Sequence, residues 1–336
     1  MGKYRFHIFL LILLTIVAVI LYVTHSKKST LKDEMRDFAV KDTGSITKIF
    51  LADKSNRQIL LERQDGYWLV NKKYKARRDY IKLLLKTIHR VDVKAPVPKG
   101  ARDHIIKQMA AKNTKVEIYQ GDEKVKTYYV GGPDKDHKGT FMYIENSSVP
   151  FVTHIPGFTG YLTTRYSTNI WDWRSRLIFK YQFDEIASIK VQQPEHPGKS
   201  FKITCYGDNT YTLTSLKDNK PVENFDTVEV KKYISLFRIV PFESFVTKLT
   251  DREKDSITSR PPTYIFTIED FTGSKNTFKT YPRPNFEQYG NSSGKIYEFD
   301  VDNLYAVLED NSWVLIQYYV FDLMFKDIDD FQQKTP

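Results

Sequence analysis

Arg78-Asp79-Tyr80-Ile81-Lys82-Leu83-Leu84-Leu85-Lys86-Thr87-Ile88-His89-Arg90-Val91 has a partner later in the chain, Thr227-Val228-Glu229-Val230-Lys231-Lys232-Tyr233-Ile234-Ser235-Leu236-Phe237-Arg238-Ile239-Val240. Ile81, Leu84, Leu85, Ile88 and Val91 correspond to Val230, Tyr233, Ile234, Phe237 and Val240 at a constant offset of 149. Each set follows the i, i+3, i+4, i+7 spacing of a helix that buries one face. Asp79 and Asp226 stand where a side-chain oxygen caps free N–H groups, and Glu229 adds a capping-box pattern to the second copy.

The correspondence extends outward from these helices. Upstream, Ile46, Ile49 and Leu51 match Ile186, Ile189 and Val191 at an offset of 140, and Gly66–Val70 matches Asn209–Leu213 at 143. Downstream, Pro96-Val97 falls on Phe245-Val246 and Val116-Glu117-Ile118 on Ile265-Phe266-Thr267 at 149. Lys124–Val130 meets Lys275–Tyr281, and a closing hairpin, Phe141–Ile144 with Val149–His154, resembles Leu304–Leu308 with Trp313–Gln317. The apolar runs bounded by turn residues read as strands. The growing offset reflects loop insertions, which a duplicated unit tolerates.

The expected fold class is α+β. An N-terminal transmembrane helix precedes two duplicated units, each an antiparallel sheet with helices packed on one face. The expected boundaries are an anchor over 1–24, a polar linker over 25–44, a first repeat over 45–165, an aromatic and basic join over 166–184 and a second repeat over 185–330.

The anchor rests on residues 6–23, which contain no Asp, Glu, Lys or Arg. As a helix they extend about 27 Å, close to the thickness of bilayer hydrocarbon. A cleaved signal peptide is the rival reading, but its apolar region runs about 7–15 residues to a small-x-small site. Thr24 and Ser26 make a poor one, and no early Cys is present for lipid attachment. Lys3 and Arg5 on one side stand against Lys27, Lys28, Lys32 and Arg36 on the other, so charge does not decide the orientation.

The formal charge of +10 is unevenly spread. Residues 45–165 hold 23 Lys+Arg against 12 Asp+Glu, whereas 185–336 hold 18 against 23. Such asymmetry suits orientation over an anionic surface or docking of one half on a partner. Cys205 is the lone cysteine, which excludes an internal disulfide and a cysteine zinc site. It shares a strand face with Phe201 and Ile203 and reads as a buried structural thiol.

Chemical motifs are scarce. The seven histidines form no helical i, i+3 or i, i+4 pair. Asp134-Lys135-Asp136-His137 reads as a solvated turn, and the surrounding Gly132–Thr140 run lacks the Gly-Lys-Ser/Thr ending of a phosphate loop. There is no Gly-x-Ser-x-Gly elbow. No catalytic residue, cofactor, metal or nucleic-acid partner is expected. The densest basic cluster is Lys72, Lys73, Lys75, Arg77 and Arg78, with Tyr74 inside it. It reads either as a solvated connection or as a contact for anionic lipid or an acidic partner. The join contributes Tyr161, Arg165, Trp171, Trp173 and Arg174. These residue types are enriched at binding hot spots and also suit a structural wedge between two units.

The run Val149–Tyr166, the segment Trp171-Asp172-Trp173-Arg174-Ser175-Arg176-Leu177-Ile178-Phe179, Gly131-Gly132-Pro133 and the strand Ile186–Val191 together resemble the bacterial envelope family named domain of unknown function 4340. The resemblance spans roughly residues 45–325 and implies membrane-anchored or exported proteins, some beside ABC-type export or gliding-motility transporters. It carries no catalytic residues over. The expected role is a non-catalytic accessory or scaffold subunit of an envelope transport or assembly complex. The expected place is the cytoplasmic membrane, spanned once through residues 6–23, with the soluble part outside the cytoplasm and protein partners in the complex. The alternative is an envelope-substrate enzyme or ligand-binding protein with a site gathered from scattered residues.

Overall fold

The computed structural model describes residues 13–19, 36–147 and 149–333. Residues 13–19 are helical and exposed (α1), and the remainder of the expected span, 6–23, lies outside the described residues. Among the described residues no helix is long and apolar enough to cross a membrane. The chain is α+β and divides into two compact units, Met1–Ser175 and Arg176–Pro336.

In the first unit β1 (Ile46–Asp53), β2 (Gln58–Arg63), β3 (Trp68–Val70) and β4 (Tyr74–Lys75) lead into helix α2 (Arg78–Arg90) and strand β5 (Asp92–Pro96). Helix α3 (Lys99–Ala111), β6 (Thr114–Gln120), β7 (Glu123–Pro133), β8 (Thr140–Ile144), β9 (Phe151–His154) and the short helix α4 (Ile170–Trp173) follow. The sheet runs β4-β3-β2-β1-β6-β7-β8-β9-β5, antiparallel throughout. Ile49 and Leu51 of β1 are fully buried because alternate side chains of a strand share one face, and a register shift between Ile46 and Lys48 brings Ile46 to that face as well. They meet Ile81, Leu84 and Ile88 of α2; each such side chain contributes about 1.5–3 kcal/mol by burial. Leu85 is only partly buried at the margin of this core.

In the second unit β10 (Leu177–Phe179), β11 (Ile186–Gln192), β12 (Phe201–Cys205) and β13 (Tyr211–Ser215) precede α5 (Thr227–Ser235), which runs on as a 3₁₀ turn over Leu236–Arg238. Strands β14 (Val240–Pro241) and β15 (Ser244–Phe245), helix α6 (Asp251–Thr258), β16 (Tyr264–Asp270), β17 (Lys275–Pro284), β18 (Phe299–Leu308), β19 (Trp313–Gln317) and α7 (Tyr318–Phe321) complete it. The sheet order, β13-β12-β11-β16-β17-β18-β19-β15, repeats that of the first unit apart from β4. Register repeats as well. Ile49 pairs with Leu61 and Ile118, and Ile189 pairs with Ile203 and Ile268. A register shift falls between Ile46 and Lys48 in β1 and between Ile186 and Ser188 in β11. Val230, Tyr233, Ile234 and Phe237 are buried against the second sheet, as the helical stripe requires.

Several sequence expectations need correction. Helices do not keep to one face of the first sheet. Ile105 and Met109 of α3 pack with Tyr129, Phe141 and Tyr143, which alternate with the core residues Tyr128, Met142 and Ile144 and so point to the other side. A Cβ on Gly131 would lie 3.0 Å from Met109 Cγ, so glycine there lets α3 approach β7 closely. The constant offset of 149 fails at β6. Val116 pairs with Leu51 and Phe266 with Val191, which sets the offset at 150, and a one-residue slip would turn every side chain to the wrong face. The linker ends earlier than residue 44, because Phe38, Ala39 and Val40 are buried in the first core and Val40 donates its N–H to the Ile88 carbonyl at 3.1 Å. Asp79 lies inside the first turn of α2 and is not its N-cap residue, which is Arg77, whereas Asp226 is the N-cap of α5 and accepts from the Val228 and Glu229 N–H groups at 2.8 and 3.2 Å. The capping box is incomplete, since the Glu229 carboxylate turns to Lys232 at 2.7 Å and Lys326 at 3.4 Å.

Candidate functional site

The basic cluster folds as a hairpin corner that ends the first sheet. Asn71 and Lys72 both adopt left-handed backbone, with φ of 49° and 59°. Two successive residues of this kind make the tight turn that suits the twist of paired strands. Asn71 locks it: its N–H donates to the Leu60 carbonyl at 2.7 Å, and its Oδ1 accepts from the Leu60 N–H at 2.8 Å. Lys72, Lys73, Lys75 and Arg78 are exposed, and Arg77 is half-buried at the entry to α2. Arg77 grips Asp79 through Nη2 at 2.6 Å and Nε at 3.2 Å. This bonding holds the Asp79 carboxyl below the usual carboxylate range, against the opposing effect of burial.

Beneath the cations lies an aromatic base. Lys73 Nζ stands 5.1 Å from the centroid of Tyr74, Lys75 Nζ 5.4 Å from Tyr67, and the Arg77 guanidinium 4.1 Å from Tyr80. The Arg174 guanidinium stacks over Tyr74 at 3.7 Å and Trp171 at 5.0 Å. These ring contacts attract each cation electrostatically and restrict where it stands.

The segment read as a join is split between the units. Its first part is a strap that closes the first unit. Arg174 bridges Ala76, Ser175 donates its N–H to the Lys75 carbonyl at 2.8 Å, and Arg77 donates its own to the Trp173 carbonyl at 2.7 Å. Trp173 is 1% exposed; its edge meets Tyr80 at 5.9 Å and its indole N–H reaches the Ser167 carbonyl at 2.8 Å. Trp173 and Arg174, at 1% and 5% exposure, therefore serve the first unit's own packing and are withdrawn from the expected interface. The second unit ends alike: Gln332 bridges Phe225, Asp226 donates its N–H to the Phe331 carbonyl at 2.7 Å, and Phe331 is fully buried against Tyr233.

Tyr161 and Arg165 lie apart from the basic corner. Arg165 donates to the Thr87 hydroxyl at 2.9 Å and stacks on Phe158 at 4.2 Å, and burial pulls its guanidinium pKa down. Thr87 follows Arg78 by nine residues, about 13 Å along α2. Tyr161 is 37% exposed and meets the His137 ring at 5.9 Å. The structure thus gathers Lys72, Lys73, Lys75, Arg77 and Arg78, flanked by half-buried Trp171, and leaves Tyr161 and Arg165 elsewhere.

Sequence reading missed Tyr67 and Tyr80, which lie outside the basic run and reach it only through folding. It also missed a cleft of about 510 Å³ in the second unit, lined by Tyr297, Glu298, Phe299, Asp300, Val301, Tyr318 and Asp322. These come from two segments distant in sequence, which no local pattern joins. Asp134 stands in the turn its Gly-rich setting implies, its Oδ1 accepting from the Lys138 and Gly139 N–H groups at 2.8 and 3.0 Å. Among the described residues no group of three or more His, Cys, Asp or Glu side chains is placed to hold a metal ion. Burial pushes the Cys205 thiol up to about 11, so it is protonated at neutral pH and inert as a nucleophile.

No curated protein and no solved structure matches the chain. The model of the family described as Domain of unknown function (DUF4340) matches residues 68–259, more than half of the 336 residues and a span that takes in the basic corner, the strap and both core helices. The chain belongs to that family.

Proposed function

We propose that this protein is a membrane-anchored, non-catalytic accessory or scaffold subunit of a bacterial envelope transport or assembly complex. In this reading residues 6–23 cross the cytoplasmic membrane once, and two copies of one duplicated α+β unit stand outside the cytoplasm. The matching strand orders and the shared register shift support the duplication. The envelope setting is supported by the apolar run 6–23 and by the resemblance carried by the join.

The observation that carries the functional reading is the basic corner. Four exposed cations, Lys72, Lys73, Lys75 and Arg78, stand on the locked turn and the start of α2 that follows it, Lys73 and Lys75 over aromatic rings. A fixed array of this kind suits anionic lipid head groups, where each basic residue near the surface contributes about 1 kcal/mol. The anchor keeps the first unit within reach of such a surface. Arg77 is excluded from this role because Asp79 already neutralises it.

The test is a triple variant, Lys72→Glu, Lys73→Glu and Lys75→Glu, in a chain lacking residues 1–35. Binding to vesicles of neutral lipid with 30 mol% (about the acidic fraction of an anionic leaflet) phosphatidylglycerol is measured by co-sedimentation at low and moderate salt. The unaltered chain is expected to bind at low salt and release as salt rises, and the triple variant to lose about tenfold or more. Binding indifferent to the triple change, or equal on neutral vesicles, removes the basic corner from the account. Protease access in cells stripped of their outer layer tests the orientation: digestion there is expected, and protection until lysis would place the units in the cytoplasm.

A further inference from the structure

The second unit carries a surface of opposite character. Between β17 and β18 the chain makes an excursion over residues 285–298, and the returning strand lies beside α7. Their junction is the cleft of about 510 Å³, a shallow depression largely open to solvent. Tyr297, Phe299 and Tyr318 give it aromatic walls, and Glu298, Asp300 and Asp322 give it carboxylates. Asp300 is already committed: Arg283 pairs with its Oδ2, and its Oδ1 accepts from the Asp302 and Asn303 N–H groups at 2.8 and 2.9 Å. Glu298 is paired with Arg260, whereas Asp322 is exposed and remains accessible to an incoming charge.

The chain itself shows what this wall accepts. The Arg260 guanidinium lies 5.3 Å from the Phe299 centroid and 3.7 Å from Glu298 Oε1. Cation over ring and cation beside carboxylate reinforce one another. The apolar surface also extends past the cleft. Tyr319 and Leu323 beside it are 93% and 65% exposed, and Ile296 and Val301 are 56% and 48% exposed. An exposed apolar stretch rimmed by charge is the usual form of a protein contact site.

We propose that this cleft docks a Lys- or Arg-bearing apolar segment of a partner protein, its cation held by Tyr318 and Asp322 as Arg260 is held by Phe299 and Glu298, its apolar neighbours laid over Val301 and Leu323. Charge complementarity selects the occupant. Residues 185–336 hold 18 Lys+Arg against 23 Asp+Glu, so an anionic lipid surface is repelled where a basic segment is attracted. The extent of the apolar surface favours an extended segment over a small cation. This surface belongs to the second unit and is independent of the basic corner in the first.

The experiment uses the full chain in uncharged detergent and three fluorescein-labelled peptides: Leu-Lys-Phe-Arg-Leu, its Glu-substituted counterpart, and a counterpart with Ser at every apolar position. Anisotropy is expected to show binding of the basic apolar peptide alone. Asp322→Asn and Val301→Ser, both exposed positions, are each expected to weaken it at least about fivefold, the scale of one lost contact. The Lys72/Lys73/Lys75→Glu chain is expected to bind as the unaltered one does, which separates this result from failure of the lipid reading. No binding, equal binding of the acidic or polar peptide, or indifference to both variants overturns the proposal. So does finding that Asp322→Asn abolishes instead the self-association of the chain in sedimentation, which would assign the cleft to a second copy.

Discussion

Lys72 holds a backbone conformation that L-residues avoid at a cost of about 1–2 kcal/mol, and nothing but the turn demands it. Lys72→Gly separates charge from fold. Glycine relieves the left-handed strain and gives back about 0.5–1 kcal/mol in chain entropy, so the melting temperature is expected to hold or rise slightly while vesicle binding falls. A clear drop in melting temperature would mean that the lysine side chain supports the turn. Asp53 makes a different residue-scale case. Burial works against its charge, but bonds from the Thr168 hydroxyl at 2.6 Å, the Arg57 side chain and two backbone N–H groups outweigh it and lower its pKa to about 2. A carboxylate with a lowered folded pKa contributes stability above its ordinary value of 3.8, and that contribution fades as pH falls from there toward 2. Asp53→Asn is therefore expected to cost about 2 kcal/mol near neutral pH and to flatten the acid limb of the stability curve. Urea titrations at pH 7 and pH 3 check it: the difference between the two chains should shrink to roughly half its neutral value at pH 3, since it vanishes only below the folded pKa of about 2.

At the scale of elements, what the sequence made legible is what repeats with a clear period. The apolar set Ile46, Ile49, Leu51 and the stripe Ile81, Leu84, Ile88 have counterparts in the second unit, and these are the strands and helices that fill the two cores. Helix α3 escaped because only Ile105 and Met109 turn inward, too few to mark a stripe, and α6 buries none of its residues. The slip at β6 has a similar origin: a helix-derived offset carries no information about one residue added in the loop that follows. The basic run at 72–78 was plain in the sequence, whereas Tyr67, Tyr80 and the cleft needed the fold. The straps are the other element that local reading missed, because Trp173 and Phe331 share a place in the fold without sharing a residue type. Trp173→Ala and Phe331→Ala are each expected to destabilise by about 3–5 kcal/mol, measured by denaturant unfolding. An effect below about 1 kcal/mol at either site would show that the strap rests on the sheet edge without holding it.

For the whole molecule, the described residues form two large sheets, each with its own core, its own covering helix and its own closing strap, and a small pair of β10 with β14. A unit with these parts meets the requirements for folding alone. The basic excess over 45–165 and the acidic excess over 185–336 then sit on separate units, so the two proposed surfaces can be taken apart by cutting the chain. Where the cut falls decides the outcome. The boundary expected from sequence, after Arg165, would remove Tyr166 and Trp173, which are 1% exposed, together with the backbone bonds from Arg77 and Ser175. Losing two large buried aromatics costs several kcal/mol, comparable with the whole stability of an ordinary domain, roughly 5–15 kcal/mol. A fragment of residues 36–175 is therefore expected to unfold cooperatively in urea and to keep its salt-sensitive vesicle binding. One of residues 36–165 is expected to show no cooperative transition and to aggregate through the exposed edge of β4. Equal cooperativity in the two fragments would mean that the strap is dispensable and that the unit ends where the sequence pattern ends.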